Sequence, residues 1–353
     1  MELCSRPRFL YHRLTAAGAG AYYSECLAGC ATSSPTFAPP ILLGANSGDP
    51  TIRPLLIQAA PTILGALWPG GDGGTFTYAE CAGSCDSPAS WSMAQPTSFY
   101  LPHRSSMGVA ALGSLRVAVT KGATGGDFYF ECSGACATPS AVWSSVPFPN
   151  YLNGLGAAIE LSTDPATGQV RRTGIWGSDP MAATKTMLYR ECVGSCATPT
   201  NWVGGGLNGG LGNGGLGVGL FPALVLDQAG LPRILSLDSL PTGTLKLARC
   251  TQRPCATNIA NWTISVIVPS GAGIPTAGKT PDGRTFFTLA VNGLVHMGIE
   301  TGPNGTYLLW PTGTSCLGPA VGQSPAGYLG ANDVLRRIAF VSDGGMAFRF
   351  EGG

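Results

Sequence analysis

The sequence predicts an all-β fold made of seven repeats, each of four antiparallel strands. A strand ending of the form Tyr-x-Glu-Cys recurs along the chain, and short apolar runs separated by turn residues lie between its copies. The residue before the cysteine position recurs at steps of 55, 51, 60, 58, 51 and 51: Glu25, Glu80, Glu131, Glu191, Arg249, Glu300 and Glu351. That period is typical of one four-stranded blade of a β-propeller. We therefore expect a seven-bladed β-propeller that forms a single domain over residues 1–353.

The fifth repeat shows the strands of one blade most clearly. Apolar runs predict four strands, at residues 223–227, 232–237, 245–250 and 262–268. In other repeats the second strand begins near an arginine, as at Arg116, Arg284 and Arg337. The blades then fall at about residues 1–45, 46–100, 101–150, 151–207, 208–269, 270–315 and 316–353. A helical fold is excluded because no long stretch has a 3.6-residue apolar period free of Gly and Pro.

Aromatic residues recur at two positions of the repeat. A large ring follows the second cysteine by six or seven residues, and Trp310 holds that place in the sixth repeat: Phe37, Trp91, Trp143, Trp202 and Trp262. We interpret these rings as outer-strand packing. The column Tyr23, Tyr78, Tyr129 and Tyr189 is interpreted as packing between blades, with each hydroxyl reaching the edge. The recurring glutamates are predicted to make a structural hydrogen bond to the backbone of a neighbouring blade.

Ten of the twelve cysteines form close pairs where the third strand ends and the fourth begins. The pairs are Cys26/Cys30, Cys81/Cys85, Cys132/Cys136, Cys192/Cys196 and Cys250/Cys255. A hairpin brings such residues within disulfide distance, whereas zinc needs about four ligands at one point. We predict five disulfides and hence an oxidising compartment, either extracellular, cell-surface or periplasmic. Cys4 and Cys316 follow strands on opposite faces, so at least one of them is expected to be unpaired within this chain.

The two ends of the chain fall inside blades. Residues 1–3 match the tail of a first strand, and the seventh repeat stops after its third strand. Blade seven therefore either has three strands or is completed by residues outside this chain. No signal peptide is visible at the first residues, so export uses another route or the chain is a piece of a longer precursor.

Composition excludes several classes of function. Charged residues make up 11% of the chain and the net charge is +1, so no nucleic-acid partner is expected. The apolar run at residues 55–68 is too short and too interrupted by proline to span a bilayer. The Gly-x-Gly-x-x-Gly match at residues 210–215 lacks a βαβ context, so it does not indicate a dinucleotide, and no cofactor is expected. The surrounding Gly-rich segment, residues 204–219, is predicted to be a flexible loop.

The two edges of the blades are predicted to differ. Loops after the second and fourth strands share one face, and the cysteine turns share the other. The first face is irregular, which is typical of a binding face. We predict that its aspartates and two tryptophans outside the packing columns bind a sugar or a cation: Asp72, Asp127, Asp179, Asp238, Asp343, Trp68 and Trp176. The alternative for the aspartates is turn formation through their own backbone hydrogen bonds.

The strand-turn-strand pattern, with endings such as Leu-Lys-Leu-Ala-Arg-Cys and a paired cysteine, resembles the repeats of secreted bacterial β-propellers over essentially the whole chain. In broad plan it is also similar to sialidase-like propellers. The Ser-x-Asp-x-Gly-x-Thr-Trp box and the arginine triad of that family are absent, which argues against sialidase activity. Propellers include enzymes and binding proteins, so the fold does not decide the function.

Two functions remain open. The first is an extracellular recognition or adhesion module that binds a glycan or a protein through the irregular face. The second is a carbohydrate-active enzyme, a glycoside hydrolase or lyase, with acidic residues at the channel mouth. The histidines are dispersed and no nucleophile motif is present, so we favour the binding module. The catalytic residues of the alternative remain unassigned.

Overall fold

A computed structural model describes residues 8–13, 20–28, 36–45, 54–60, 62–69, 76–95, 107–112, 115–121, 127–147, 160–163, 170–176, 186–207, 220–237, 243–272, 275–279, 285–291, 294–300, 307–315, 326–329, 335–342 and 345–349. Their regular structure is β-strand, and within these ranges helical structure is confined to short 3-10 turns at Pro88–Ser90, Pro199–Asn201 and Ile259–Asn261. The all-β prediction is therefore confirmed. The chain divides into two compact units. The first comprises Met1–Cys30, Ser34–Val170 and Cys192–Trp202, and the second comprises Ala31–Ser33, Arg171–Glu191 and Val203–Gly353.

Three antiparallel sheets, each built from consecutive strands, lie in the first unit. Sheet one contains β1 (Arg8–Arg13), β2 (Gly20–Ala28), β3 (Thr36–Phe37) and β4 (Ile41–Gly44), and both β3 and β4 pair with β2. Sheet two has the order β5 (Leu55–Ala60), β6 (Ile63–Pro69), β7 (Phe76–Ala82) and β8 (Trp91–Ala94). Sheet three has the order β9 (Met107–Leu112), β10 (Leu115–Lys121), β11 (Asp127–Ser133) and β12 (Ser144–Pro147). Strand β13 (Glu160–Thr163) follows along the chain.

The next strands are β14 (Val170–Trp176), β15 (Thr186–Cys192) and β16 (Trp202–Gly206). Strand β14 pairs with β15 from Arg171 opposite Glu191 to Trp176 opposite Thr186. An eight-stranded sheet in the second unit contains β17 (Leu220–Leu226), β18 (Pro232–Leu237), β19 (Gly243–Cys250), β20 (Trp262–Ala272), β21 (Thr276–Lys279), β22 (Thr285–Val291), β23 (Leu294–Glu300) and β24 (Tyr307–Ser315). A three-stranded sheet contains β25 (Ala326–Leu329), β26 (Leu335–Ser342) and β27 (Gly345–Arg349).

The strands predicted for the fifth repeat are confirmed as β17 to β20. Strand β18 has the predicted bounds, while β20 runs four residues further than predicted. Its last residue, Ala272, pairs with Val291 of β22. This single pairing joins the strands of the fifth and sixth repeats into one sheet. The described strands of the seventh repeat number three, as the sequence predicts.

The described core lies between the faces of consecutive sheets. Between sheets one and two, Tyr23 and Leu43 pack with Ala66, Trp68 and Cys81. Another cluster joins Leu67, Phe76 and Tyr78 to Phe130 and Cys132 of sheet three, and a further one surrounds Tyr189, Ile234, Cys250 and Trp262. Since sheets are covered on both faces, a strand such as β7 is buried along almost its whole length. This explains why third strands lack the simple alternation of apolar and polar residues seen in half-exposed sheets.

The two aromatic columns contact each other. The tyrosine of one repeat meets the tryptophan of the next edge-on, with ring centroids 5.0 to 5.5 Å apart. The pairs are Tyr23–Trp91, Tyr78–Trp143, Tyr129–Trp202 and Tyr189–Trp262. Such pairs contribute about 0.5–1.5 kcal/mol each beyond their buried area. The packing interpretation is confirmed for these four tyrosines and four tryptophans, and the sequence spacing alone did not show that they pack on one another.

Each of these tyrosines also hydrogen-bonds the glutamate two residues later in its own strand. The hydroxyl donates to the carboxylate over 2.7 to 2.9 Å in all four repeats. In the second repeat, Nε of Arg116 in sheet three contacts both Glu80 and the Tyr78 hydroxyl, the latter at 2.9 Å. The predicted backbone partner is therefore wrong for Glu80, whose carboxylate binds side chains instead. A hydroxyl in the same strand reaches it more directly than a neighbouring main chain does.

The fifth and sixth repeats show what happens when the tyrosine is lost. In the fifth repeat Leu247 replaces the tyrosine and Arg249 replaces the glutamate, so the hydroxyl and its acceptor disappear together. In the sixth, Gly298 replaces the tyrosine and the ring of Phe287 fills its place, since a Cβ on Gly298 would lie 2.2 Å from Phe287 Cζ. Glu300 remains, and the Thr285 hydroxyl donates to it over 2.7 Å. A buried glutamate in this position thus keeps a hydroxyl donor.

We predict that Tyr78→Phe lowers the free energy of unfolding by about 1–3 kcal/mol, because the partly buried Glu80 carboxylate and the buried Arg116 guanidinium lose the hydroxyl between them. Urea denaturation measures this loss. Glu80→Gln and the double variant complete a thermodynamic cycle, in which we expect a coupling energy of about 0.5–3 kcal/mol. Strict additivity of the two single changes would show that the hydroxyl and the carboxylate act independently.

Candidate functional site

The most regular feature of the structure is the connection between the third and fourth strands, here called the cysteine corner. It is described four times, at residues 81–91, 132–143, 192–202 and 250–262. Each corner is closed by a disulfide with Cα atoms 5.5 to 5.8 Å apart: Cys81–Cys85, Cys132–Cys136, Cys192–Cys196 and Cys250–Cys255. Four of the five predicted disulfides are thus confirmed. Cys30 of the fifth pair, and Cys4 and Cys316, lie outside the described residues.

The tryptophan that ends each corner is fixed by its indole N–H. Nε1 donates to the carbonyl oxygen of the corner's second cysteine over 2.8 to 3.1 Å, and the donors are Trp91, Trp143, Trp202 and Trp262. A six- or seven-residue step from cysteine to tryptophan is therefore the length that closes this hydrogen bond. A buried indole N–H needs such a partner. The spacing was visible in the sequence, but the hydrogen bond it serves was not predicted.

Local sequence builds the corner. Gly83 and Gly134 have φ of 93° and 88°, a region that favours glycine, and both occupy the third position of Cys-x-Gly-x-Cys. In the fifth repeat the amide of buried Asn261 donates to Pro254 O over 3.0 Å, and its carbonyl accepts from Gln252. Asn261 also begins an Asn-Trp-Thr glycosylation sequon. Because this side chain is 4% exposed and hydrogen-bonded, the folded corner is not an acceptor for a glycan.

Charged groups at the ends of the third strands are held in internal contacts. Arg8 Nε lies 3.3 Å from Glu25, and Arg233 contacts Asp227 and lies 3.5 Å from Glu300. Arg233 also donates to Cys250 O over 3.0 Å. The sequence signal for these partners was the arginine near the start of the second strand, which we noted only as a strand marker. No group of three or more metal-ligating side chains occurs within the described ranges, and eight of the cysteines there are closed into disulfides.

Burial raises the pKa of Tyr23, Tyr78 and Tyr129 well above the usual value, and the neighbouring glutamate carboxylates raise it further. A neutral, hydrogen-bonded phenol of this kind donates to its glutamate and does not serve as a base near neutral pH. The cysteine corners together with these tyrosine–glutamate pairs are therefore a structural frame.

Four of the seven residues predicted for the irregular face lie outside the described residues: Asp72, Asp179, Asp238 and Asp343. Asp127 is the first residue of β11, directly after the connection from β10. Trp176 is the last residue of β14, so it ends a strand and does not lie within a loop as predicted. Both of these positions adjoin connections between second and third strands, where the prediction put the binding face.

Trp68 requires a correction. It lies within β6 opposite Thr77 and is 1% exposed, packed in the core between sheets one and two. A Cβ on Gly44 of β4 would lie 3.3 Å from the Trp68 ring, so the small residue there makes room for the indole. The sequence placed Trp68 in a loop because its strand was expected to end earlier. A side chain in this position cannot be an exposed anchor for a ligand.

The Gly-rich segment also differs from the prediction at its start. Gly204, Gly205 and Gly206 belong to β16, and residues 208–219 lie outside the described residues. A Cβ on Gly204 would lie 2.3 Å from the Tyr189 carbonyl oxygen, and its φ is 129°. Glycine here permits close approach of two main chains beside the Tyr189–Trp262 pair. Gly204 therefore serves close packing, and the first three glycines of the segment belong to a strand instead of the predicted flexible loop.

No family model matches the sequence, and no curated protein matches it either. Solved structures do resemble the fold. A polysaccharide lyase described as an ulvan lyase, bound to -[GlcA(1-4)Rha3S]-, is 9% identical at a TM-score of 0.61, over 100% of this chain and 91% of its own. The periplasmic gluconolactonase of Pseudomonas aeruginosa is 11% identical at 0.60, over 99% and 93%. The Aleuria aurantia lectin, in complex with Fucalpha1-6GlcNAc, is 9% identical at 0.50, over 85% and 96%.

The proteins that resemble this chain include β-propellers that bind or process glycans. At these identities the likeness concerns the fold alone. It confirms the resemblance of the repeats to β-propeller repeats with paired cysteines. Among the described residues, no helix is long and apolar enough to cross a membrane.

We predict that Trp68→Ala lowers the free energy of unfolding by about 3–5 kcal/mol, because it removes a large ring from a packed core. Urea denaturation of the purified variant measures the loss. Val142→Ala is the matched control, since Val142 is 81% exposed and its truncation should change stability by less than about 0.5 kcal/mol. Equal effects of the two changes would contradict the core position of Trp68.

We also predict that the protein loses stability as the pH rises above about 10. The three tyrosines have folded-state pKa values above that of an unfolded tyrosine, about 10. Their contribution is therefore fully present below pH 10, and above it each costs about 1.4 kcal/mol per pH unit until its folded pKa is reached. Urea denaturation between pH 8 and about pH 11.5 tests this. Tyr78→Phe should make the decline shallower, and an unchanged slope would contradict the assignment.

Proposed function

We propose that residues 1–353 form one seven-bladed β-propeller that binds a glycan through the face opposite the cysteine corners. Its blades have four strands, apart from a three-stranded seventh. The observation that supports this proposal is that the residues at and next to the cysteine corners are engaged in internal contacts. Their tyrosines, tryptophans and glutamates pack on or hydrogen-bond one another. Recognition then falls to the connections after the second and fourth strands, which differ between repeats.

The fold supports a glycan as the ligand. The ulvan lyase and the Aleuria lectin were both solved with saccharides, and they share the chain's fold over most of its length. Four disulfides in the described residues support an extracellular or cell-surface location, because such bonds persist in oxidising compartments. The same surroundings expose a protein to glycans of cell walls and matrices. Adhesion to a glycan-bearing surface is the function that fits both facts.

Charge distinguishes between classes of glycan. Four aspartates and one lysine lie in the connections between second and third strands, at residues 14–19, 70–75, 122–126, 177–185, 238–242, 292–293 and 343–344. The strand ends that bound these connections add Asp127 as well as Arg13 and Lys121, so the aspartates outnumber the basic residues five to three. Carboxylates accept hydrogen bonds from sugar hydroxyls and repel sulfates and uronates. We therefore propose a neutral, hydroxyl-rich glycan. Trp176, at the end of β14, supplies a ring for stacking, and Asp72, Asp127, Asp179, Asp238 and Asp343 supply acceptors.

The alternative is a carbohydrate-active enzyme with two of these aspartates as its acid and base. The lyase among the similar structures favours it. A glycosidase needs two carboxyl groups roughly 5–10 Å apart across the scissile bond. We rank it second because the histidines are dispersed and no nucleophile motif is present in the sequence. Release of shorter saccharides from a bound glycan, detected by mass spectrometry, would favour this alternative.

A panel of immobilised glycans tests the proposal. We predict that neutral glycans bind more tightly than sulfated or uronate glycans, and that Trp176→Ala weakens the best interaction at least about tenfold, as loss of an aromatic anchor does. Asp127→Asn should weaken it as well. Asp86→Asn is the matched control, because Asp86 is exposed on a cysteine corner. Equal losses for Asp86→Asn and Asp127→Asn, or a preference for anionic glycans, would contradict the proposal.

A further inference from the structure

One of the four described disulfides differs from the others in its exposure. The second cysteine of a corner is buried at Cys85, Cys136 and Cys255, which are 0%, 0% and 2% exposed. Cys196 is partly exposed, although its partner Cys192 is 2% exposed. The sequence does not predict this difference in exposure, because three of the corners share the pattern Cys-x-Gly-x-Cys. The second cysteine of the disulfide is thus accessible to solvent in one of the four described corners and buried in the other three.

The surroundings explain the contrast. Cys85 lies in the cluster with Trp91 and Tyr23, and Cys136 lies in the cluster with Ala137 and Phe130. Cys255 likewise packs with Trp262 in a buried cluster. The residues between the two cysteines are exposed in all four described corners, among them Gly194 and Ser195, so the corners differ at the second cysteine itself. Cys196 belongs to none of these three buried clusters. A reagent can approach Cys196 from solvent without disturbing a core.

We propose that Cys192–Cys196 is a thiol–disulfide exchange site for an external dithiol. A thiolate of the dithiol attacks Sγ of Cys196, the S–S bond breaks, and Cys192 leaves as a thiolate that takes up a proton. The second thiol of the reagent then attacks the mixed disulfide, releases Cys196 as a thiol and leaves as an oxidised disulfide. Two electrons and two protons pass to the protein. Access to the attacked sulfur governs the rate of such exchange, and the buried disulfides react only after local opening.

The proposal links chemistry at this corner to packing. The Cys196 carbonyl accepts the Trp202 indole N–H over 2.8 Å, and the Trp202 ring packs edge-on against Tyr129. Opening the corner by reduction frees the segment that carries this carbonyl. Exchange at Cys196 therefore acts on one tyrosine–tryptophan contact and leaves the contacts of the other described corners intact.

Timed reduction tests the site. The folded protein, with free thiols blocked beforehand, is treated with limiting dithiothreitol, quenched with an alkylating reagent and mapped by peptide mass spectrometry. The same reaction in denaturant gives the intrinsic reactivity of each disulfide. We expect the ratio of native to denatured rates for Cys192–Cys196 to exceed those of the other three described disulfides at least tenfold. Equal ratios, or a faster reaction at one of the other three, would overturn the proposal.

Serine variants provide a second measurement. Cys192→Ser/Cys196→Ser should remove the fast phase of reduction and leave the rates at the other three disulfides unchanged. It should also shift the urea midpoint less than the matched variant Cys132→Ser/Cys136→Ser, which places hydroxyls in a buried cluster. A fast phase that persists, or a larger shift for the first variant than for the second, would show that Cys196 is not the accessible sulfur.

Discussion

The structure depends on one side chain that satisfies two requirements at once. The tyrosine near the end of a third strand places its ring edge-on against the tryptophan of the next repeat, and its hydroxyl donates to a glutamate in its own strand. The ring supplies the apolar contact between sheets, whereas the hydrogen bond makes burial of a carboxylate tolerable. Neither the ring contact nor the hydrogen bond is sufficient alone, because burying an unpaired hydroxyl or carboxylate costs more free energy than a ring contact contributes.

This coupling explains how the repeats diverge. Where Leu247 removes the hydroxyl, the acceptor is also gone, because Arg249 stands in place of the glutamate. Where Gly298 removes the whole side chain, Phe287 supplies the ring and Thr285 supplies the hydroxyl for Glu300. The two roles of one tyrosine are thus divided between two residues of the neighbouring strand β22. Substitution at this position is constrained by hydrogen bonding at least as much as by volume.

Periodicity sufficed to predict the strands, the disulfides and the packing columns, because each is repeated and its spacing survives local variation. Contacts between repeats were harder to predict. Arg116 reaches back to Glu80 over 36 positions, and no spacing within a single repeat indicates this. Trp68 was misplaced for a related reason. Its burial depends on Gly44 in another sheet, so the residues next to Trp68 in the sequence indicate only the end of a strand. The candidate binding face consists of irregular connections, which carry no period from which to predict them.

Charge is scarce in this chain, so the distribution of the few charged residues is informative. Arginines and glutamates of the frame neutralise one another in buried pairs, such as Arg8–Glu25 and Arg116–Glu80. They therefore contribute little to the field outside the protein. In the sequence, the connections after second strands contain four aspartates and one lysine. Under the proposed function, this excess of aspartates would disfavour sulfated and uronate glycans at the stage of encounter, before any specific contact forms. In that proposal the frame contributes to recognition indirectly, because its charged residues pair with one another and leave the charge of the connections to act on the ligand.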